Sequence, residues 1–511
     1  MSDWTSGYVA DVGYTYGYYQ ELNPLRVRLA FLNIGQALPD EGTHCELGFG
    51  QGLSVNMHAA ASGSTWHAND FNPAQAGFAK TLARASGANV HLTDQAFADF
   101  CQRSDLPDFD SIGLHGIWSW ISDENRSVIV DFVRRKLKVG GVLYISYNTY
   151  PGWAAFAPMR DLLLEHKKAM AAPGHGIVAN LDEALTFAEK LMATNPLYAQ
   201  ANPTIRQRLS MLKTQDRNYL AHEYFNRNWL PMNFATMAGW LSPAKLNYAC
   251  SAHYIEHIDA INLSADQRTL LSEIPDEIFR ETVRDFMLNQ QFRRDYWVKG
   301  ARNLNPLAQA EAFRAQRIIL VQPRGDVNLK AKGALGEATL REGVYNPVLD
   351  ALADHKAKTL GQIEQAVKGS GLVFEHVREV AMVLCGIGSL TPVQDDATVS
   401  RAKKQTDKLN AHVLEQARGR SDLNYLASPL TGGGVAVNRL QQLFLLAISQ
   451  GKKQPAEWVP WVWQTLAAQS QKIIKEGKML DTPEENLAEL TLQANAFAEK
   501  QWPILRALQV A

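Results

Sequence analysis

Apolar and polar positions along the first 150 residues alternate between two patterns. Short apolar runs bounded by glycine or polar residues predict strands, and apolar positions three or four apart predict helices. The predicted strands cover residues 44–52 (ending in a glycine-rich turn), 65–70, 90–93, 110–114 and 142–147, and the predicted helices cover 25–38, 53–61, 73–85 and 125–137. Gly140-Gly141 is expected to stop the last of these helices. The alternation predicts an α/β fold with a doubly wound parallel sheet.

The next 170 residues carry two different patterns. Residues 158–228 show helical spacing only, with Asn180 expected as the N-cap of a helix over 181–192. Strand and helix patterns then return and end in the apolar run 317–321. Pro323-Arg324-Gly325-Asp326 is a turn signal and a plausible domain boundary.

Beyond this boundary the pattern is mainly helical. Three helices, near 346, after 359 and over 374–385, followed by a hairpin, would form a winged-helix-like module, and the polar stretch 393–409 is expected to be a linker. Thr482-Pro483-Glu484-Glu485 predicts a helix start, followed by an apolar stripe. The predicted domains are a core over 1–157 and 229–322, a helical middle insertion over 158–228, the module over 323–395 and a helical C-terminal domain over 396–511.

Composition narrows the class of protein. The 511 residues include 51 Lys and Arg against 52 Asp and Glu, so no overall basic field for nucleic acid is present. Four widely spaced cysteines suggest neither a disulfide framework nor a zinc cluster, and no secretory signal or membrane-spanning apolar run is apparent. We expect a cytoplasmic protein with no membrane span and no metal.

The segment from His44 to Gly52 is the most informative for chemistry. A strand ends in the acidic Glu46, and three glycines follow at alternate positions before a helix: Gly48, Gly50 and Gly52. Glycines let the backbone turn tightly and approach a ligand, and the following helix directs N–H groups towards it. A dinucleotide fingerprint would need its third glycine at Leu53, so this pattern differs from it.

The pattern resembles motif I of class I S-adenosylmethionine-dependent methyltransferases. That resemblance implies a Rossmann-like sheet with S-adenosylmethionine as cofactor, bound at Glu46 and the three glycines. It also implies that Asp70, after the second strand, holds the ribose hydroxyls, and that Asp94 contacts the adenine amino group. Phe71 or Gln95 would line the adenine pocket. Asp94 has a simpler reading as a helix cap.

The segment after the fourth strand supplies candidate groups near the transferred methyl. His115 would orient a group or accept a proton, and Trp118 would pack on the sulfonium. A hydrogen-bonded loop histidine and a core tryptophan are the simpler readings. The acceptor site is expected to be lined by Tyr14, Tyr16, His115 and Trp118, with no general base identified. An Asn-Pro-Pro-Tyr tetrapeptide, associated with methylation of flipped bases, is absent from 147–153, which weakens a nucleic-acid substrate.

A wider resemblance covers most of the chain. The segments 14–24, 114–120, 147–153 and 219–225 together resemble bacterial methyltransferases with an appended regulatory domain. The family implies a protein lysine methyltransferase acting on a protein substrate such as an outer-membrane protein, and a homodimer. A small-molecule or glycan methyltransferase and a non-catalytic cofactor-binding interaction protein remain open as alternatives.

Four further features have structural explanations. His253-Tyr254-Ile255-Glu256-His257 matches an inverted zinc-peptidase pattern, but a strand before it and the lack of a third ligand argue against metal. Gly432-Gly433-Gly434 reads as a loop, and the charged run 401–408 as a solvated linker. Trp458, Trp461 and Trp463 read as packing residues, with a partner surface as the alternative.

Overall fold

A seven-stranded sheet organises the first 300 residues. The structure is a computed structural model that describes residues 5, 7–10, 12–40, 42–171 and 174–511, so the first four residues of the predicted core lie outside it. The elements up to the fifth strand are α1 (Pro24–Asn33), β1 (Thr43–Leu47), α2 (Leu53–Ser62), β2 (Thr65–Asn69), α3 (Pro73–Ser86), β3 (Val90–Thr93), α4 (Phe97–Cys101), β4 (Phe109–Leu114), α5 (Asp123–Lys136) and β5 (Leu137–Asn148). This alternation confirms the predicted α/β class.

A helical insertion follows β5, and the sheet is then completed. The insertion contains α6 (Ala157–Met170), α7 (Ile177–Ala193), α8 (Leu197–Ala201), α9 (Thr204–Leu212) and α10 (Arg217–Phe225). After it come α11 (Phe234–Leu241), β6 (Leu246–Ser251), α12 (Asp259–Asn262), α13 (Ala265–Ser272), α14 (Glu277–Leu288) and β7 (Phe292–Lys299). The strand order is β3-β2-β1-β4-β5-β7-β6, and β7 runs antiparallel to both of its neighbours.

The order of the strands places a crevice at the ends of β1 and β4. The chain passes from β1 to β2 on one side and returns to β4 on the other, and all of these strands run parallel. At such a switch point the connections leave β1 and β4 in opposite directions, which opens a binding crevice at their carboxyl ends. The glycine-rich turn after β1 borders this crevice.

Two predicted helix ends in this region are wrong. Gly140-Gly141 does not stop α5, because α5 ends at Lys136 and both glycines lie within β5. Leu137 takes an extended conformation directly after the helix, so the helix ends without a left-handed cap. Asn180 is not an N-cap, since α7 already begins after Gly176 and the Asn180 amide donates to the carbonyl of His175.

The third part of the chain combines helices with short strands. It contains α15 (Pro306–Arg314), β8 (Arg317–Leu320), β9 (Lys330–Gly333), β10 (Gly336–Thr339), α16 (Glu342–Ala351), β11 (Lys358–Thr359), α17 (Leu360–Val367), α18 (Phe374–Gly386) and β12 (Leu390–Val393). The three expected helices are present, but the β9–β10 hairpin precedes them instead of following them. Strand β8 pairs with β11 and β12, so the predicted boundary at 323 separates β8 from its partners.

The last part of the chain begins with a long helix. Its elements are α19 (Asp396–Gln416), β13 (Tyr425–Ser428), β14 (Gly433–Ala436), α20 (Arg439–Ser449), α21 (Pro455–Ala467), β15 (Ile474–Lys475), β16 (Lys478–Met479), α22 (Pro483–Ala496) and α23 (Trp502–Ala507). Thr482 and Glu485 form the predicted capping box at the start of α22. In the stripe predicted for α22, Leu490, Ala494 and Phe497 are buried and Leu487 is partly buried against them.

The predicted linker over 393–409 is wrong, because most of it is helix α19. Val399, Ala402, Thr406 and Leu409 recur three or four residues apart and are buried. The charged residues of the 401–408 run lie between them, and α19 packs on α2 and α3 of the core. A charged exposed face therefore concealed an amphipathic helix in the sequence.

Substitution of Leu409 by alanine tests the packing of α19. The side chain is fully buried, so Leu409→Ala is expected to destabilise the protein by roughly 2–5 kcal/mol through lost burial and a cavity. Lys404→Ala on the exposed face of the same helix is the matched control and should change stability by less than about 0.5 kcal/mol. Urea unfolding followed by tryptophan fluorescence measures both. Equal midpoints for the two variants would contradict the packing.

Candidate functional site

A cavity of about 300 Å³ lies at the carboxyl ends of β1, β2 and β4. The core contributes the glycine turn after β1, the turn after β2 and the loop after β4. The opposite wall is formed by the insertion and by the N-terminal segment, which is the described part of the chain before α1. Its residues are Tyr8, Tyr14, Tyr19, His222, Glu223, Asn226 and Asn228. Among the described residues that line it, Asp70 and Glu223 are acidic and neither lysine nor arginine is present. The cavity is therefore suited to a cationic ligand.

Three glycines shape the turn between β1 and α2. Gly48, Gly50 and Gly52 all have left-handed backbone angles, with φ of 70°, 58° and 69°. A Cβ at Gly48 would lie 2.6 Å from Ile117, and one at Gly52 would lie 2.4 Å from Ala79. At Gly50 the nearest atom would be 3.7 Å away on Tyr14, so this position stays open towards the N-terminal segment. The three predicted glycines thus line the cavity with bare backbone.

Asp70 is held at the end of β2 by two backbone donors. The N–H groups of Gly50 and Asn72 donate to its two oxygens, at 2.8 and 2.9 Å. Burial nevertheless raises the pKa of the Asp70 carboxyl to about 6. A carboxylate oxygen accepts more than one hydrogen bond, so Asp70 retains capacity for hydroxyl donors of a ligand. The structure brings Asp70 and Phe71 to the cavity together, as the sequence predicted.

Glu46 lies beneath the glycine turn, at the end of β1. The side chain is buried and does not itself line the cavity, and its Oε2 atom has no hydrogen-bond partner. Burial, with a smaller contribution from the charge of Asp70, raises the pKa of Glu46 to about 8. A buried carboxyl without a donor is unfavourable for the free protein, so this group is suited to a ligand donor.

The structure does not place Asp94 and Gln95 in the cavity wall. Asp94 is exposed and pairs with Lys80 at 3.1 Å, which also holds the pKa of its carboxyl below the usual value. The backbone carbonyl of Gln95 accepts a hydrogen bond from Asn69 at 2.9 Å. Ala96, Phe97 and Ala98 line the cavity at this point instead. The residues that line the cavity here therefore begin one position after Gln95.

His115 lines the cavity as a neutral ring. Burial lowers the pKa of His115 to about 4, so its imidazole is too weakly basic to hold a proton near neutral pH. Its Nδ1 lies 2.8 Å from the Tyr144 hydroxyl, and its ring stacks on Tyr19 with ring centroids 3.7 Å apart. These contacts fix the orientation of the ring and favour a positioning role over proton transfer.

Two of the four aromatic or histidine residues predicted to line the acceptor site lie elsewhere. Trp118 is fully buried and its indole N–H points to the sulfur of Met232 at 3.3 Å. Trp120, two residues later, lines the cavity instead. Tyr16 packs on Phe78 and on the guanidinium of Arg420, outside the cavity. Tyr14 and His115 line the cavity, and their place at an acceptor site stays a prediction.

The sequence interpretation missed the part of the site that comes from the insertion. His222 and Glu223 on α10 enter the cavity, where the His222 ring lies 5.0 Å from that of Tyr14. Burial raises the pKa of the Glu223 carboxyl to about 7, against the opposing charges of Arg160 and Arg208. The sequence feature that could have indicated this part of the site is a pair of adjacent titratable residues within the aromatic and apolar segment 219–225.

The remaining sequence features are structural in the described residues. His257 bonds to the carbonyl of Ser251 at 2.7 Å, and no described cluster of His, Cys, Asp and Glu is suited to a metal ion. Gly433 and Gly434 lie in strand β14 of a hairpin that packs on Tyr18. Trp458 is fully buried in the C-terminal core. None of the described helices is both long enough and apolar enough to cross a membrane.

Comparisons with known proteins give one family model and a full-length relative. The model, described as "predicted methyltransferase regulatory domain", matches residues 216–299, from α10 to β7. The Synechocystis sp. (strain PCC 6803) protein sll1526 is 42% identical over 515 residues, which cover 99% of this chain and 100% of that protein.

Solved structures share the fold over nearly the whole chain. PKMT2 from Rickettsia typhi in complex with AdoHcy aligns with a TM-score of 0.70 and 17% identity, covering 97% of this chain and 99% of that one. A second structure of PKMT2 from Rickettsia typhi aligns with a TM-score of 0.66 and 17% identity, covering 94% and 98%. The predicted Rossmann-like methyltransferase fold with added helical parts is confirmed.

The buried carboxyl of Glu46 predicts a pH dependence of stability. Its folded pKa of about 8 exceeds the usual 4.5, so the folded state binds a proton that the unfolded state releases between these values. This group therefore lowers stability as the pH rises from 4.5 to 8, by at most about 1.4 kcal/mol per pH unit. Glu46→Gln is expected to gain stability relative to wild type from pH 5 to pH 8 in urea unfolding.

A matched control separates this effect from other groups. Asp94→Asn removes an exposed, paired carboxyl and should show a nearly constant difference from wild type over the same pH range. A pH-independent difference for Glu46→Gln would show that Glu46 ionises normally in the folded protein.

Proposed function

The chain belongs to the same family as the Synechocystis protein sll1526, a family with a methyltransferase regulatory domain, and on this premise we propose that it transfers methyl groups from S-adenosylmethionine to protein lysine side chains. The observation that carries the proposal is the cavity at the switch point of the sheet. It combines bare glycine backbone with acidic groups and contains neither lysine nor arginine among its described lining residues. The cofactor and the acceptor lysine are both cationic.

The residues at the glycine turn fit the cofactor. Gly50 leaves space that a Cβ would fill, and the unpartnered Oε2 of Glu46 and Oδ1 of Asn69 are buried acceptors nearby. Asp70 would accept hydrogen bonds from the ribose hydroxyls. Glu46 and the glycine backbone would hold the amino-acid part of the cofactor. Phe71 and Phe97 would flank the adenine. The chemistry that the cofactor supplies when bound is a methyl group on a positively charged sulfur.

The chain's own residues would orient the reactants and exclude water. Methyl transfer by in-line displacement requires the nucleophile, methyl carbon and sulfur to be collinear. Tyr14, Tyr19 and Trp120 surround the cavity with aromatic surface, and His115 is fixed between Tyr19 and Tyr144. The π faces of aromatic walls attract the cationic cofactor and the lysine ammonium. The low polarity of these walls also makes it easier for the ammonium to lose its proton, which leaves the neutral amine that attacks the methyl group. Identification of a general base is not needed for these roles.

The helical insertion supports a macromolecular acceptor. It supplies one wall of the cavity and exposes large apolar side chains on its outer surface, among them Leu197 and Met211. PKMT2 from Rickettsia typhi, whose name denotes a protein lysine methyltransferase, shares this architecture over nearly its full length. An outer-membrane protein as the acceptor and a homodimer stay predictions of the family resemblance, and a cytoplasmic location stays a prediction of the composition.

Calorimetric titration with S-adenosylmethionine tests the cofactor site. Asp70→Asn replaces an acceptor at the end of β2, and Glu46→Ala removes the buried carboxyl. Each is expected to weaken binding about tenfold or more, because hydrogen bonds to charged groups contribute roughly 1.5–3 kcal/mol. Asp94→Asn, on the outer surface, should bind as the wild type does. Unchanged affinity in Glu46→Ala would refute the cofactor assignment at this turn.

Transfer of labelled methyl groups tests the acceptor class. Wild-type protein is incubated with methyl-labelled S-adenosylmethionine and fractionated bacterial lysate, and we expect label in protein bands as methyllysine after hydrolysis. Label only in extractable metabolites or glycans would favour the small-molecule alternative. Binding of the cofactor without any transfer would favour the non-catalytic alternative. Glu46→Ala provides the background level.

A further inference from the structure

Glu223 is an acidic group in the cavity that the cofactor assignment does not use. It lies on α10 of the insertion, opposite the glycine turn, and lines the cavity together with Tyr8 and Tyr14. Among the described residues, no hydrogen-bond donor and no cation within 4 Å contacts its carboxyl group. Arg160 and Arg208 act on it only as more distant charges. A shielded carboxyl without a partner is unfavourable, so the free protein gains nothing from it.

The surroundings of Glu223 define what it is able to bind. Burial raises the pKa of Tyr8, Tyr14 and Tyr219, and the charge of Glu223 raises it further. For Tyr8 the charge of Asp70 has a larger effect than that of Glu223, and for Tyr14 that of Tyr19 does. Tyr8 and Tyr14 line the same cavity as Glu223, and their rings lie 5.5 and 5.0 Å from that of His222, its neighbour on α10. A cavity wall of aromatic rings with one carboxylate is complementary to a long alkyl chain that ends in an ammonium group.

The residues on α10 next to Glu223 bind the N-terminal segment. Asn226, one turn later, accepts a hydrogen bond from the Val9 backbone at 2.7 Å, and its amide donates to the carbonyl of His222 at 2.7 Å. His222 in turn bonds to the carbonyl of Val12 at 3.2 Å. These contacts hold the N-terminal segment against α10, the helix that carries Glu223 into the cavity lining.

We propose that Glu223 binds the ammonium group of the acceptor lysine and thereby selects a cationic side chain over a neutral one. The inference rests on the proposed function, since it names the residue that recognises the acceptor lysine. The cofactor would occupy the side of the glycine turn and Asp70, and the lysine chain would pass between Tyr8 and Tyr14 to Glu223.

Saturation-transfer NMR on the full-length protein, saturated with S-adenosylhomocysteine, tests the inference without any turnover. The probes are Nα-acetyl-lysine amide and its neutral counterpart Nα-acetyl-norleucine amide. Wild type is expected to prefer the lysine probe about tenfold or more, as one charge-assisted hydrogen bond allows. Glu223→Gln keeps the size of the side chain and is expected to lose this preference. Glu223→Asp, which keeps the charge, is expected to retain part of it.

Glu165→Gln is the matched control, because Glu165 is exposed on α6 of the same insertion and pairs with Lys168. It should behave as wild type does. An equal response of wild type to both probes, or a preference that survives in Glu223→Gln, would overturn the inference. Loss of S-adenosylhomocysteine affinity in Glu223→Gln alone would also overturn it, by placing Glu223 at the cofactor. Absence of S-adenosylhomocysteine binding in wild type would instead refute the proposed function.

Discussion

The N-terminal segment is the element on which the site depends, because both the insertion and the core hold it. The insertion binds it through His222 and Asn226, and the core binds it through Gln51, whose amide donates to the carbonyl of Tyr14 at 3.3 Å. His58 on α2 contacts the carbonyl of Tyr19 at 3.2 Å. A segment of so little regular structure keeps a defined path only when its backbone groups are satisfied by such partners. The cavity exists because this path is fixed.

The electrostatics of the cavity follow from the way the N-terminal segment covers it. Covering the carboxyl ends of the strands removes water from Glu46, Asp70 and Glu223, and burial raises the pKa of all three carboxyl groups. A buried carboxylate is costly to the free protein when no opposite charge pairs with it. Here the cations Arg160 and Arg208 stay outside the cavity lining. The unfavourable burial of carboxylates in the free protein becomes favourable when cationic ligands enter.

The sequence was sufficient for features that depend on local geometry. The left-handed conformation of Gly48, Gly50 and Gly52 favours glycine at those positions, so the turn was predicted from the residues themselves, whereas Asp70 came from the family resemblance. Features that depend on tertiary contacts could not be predicted from the sequence. Choosing Trp118 over Trp120 required knowing which face of the loop after β4 packs inwards, and Asp94 faces outwards because Lys80 on α3 pairs with it. Glu223 reaches the cavity from 150 residues away, and no local pattern marks that approach.

Helix α2 explains why the C-terminal part of the chain belongs to the structure of the core. Every residue from Leu53 to Ala61 is buried, so this helix has no solvent-facing side. A helix that is buried all round must be covered on every side, and the sheet covers only one side of α2. Helix α19 and the β13–β14 hairpin cover the remainder, and the hairpin also packs Gly433 and Gly434 against Tyr18 of the N-terminal segment. The C-terminal part therefore supports the N-terminal segment from the side opposite the cavity, at Tyr18.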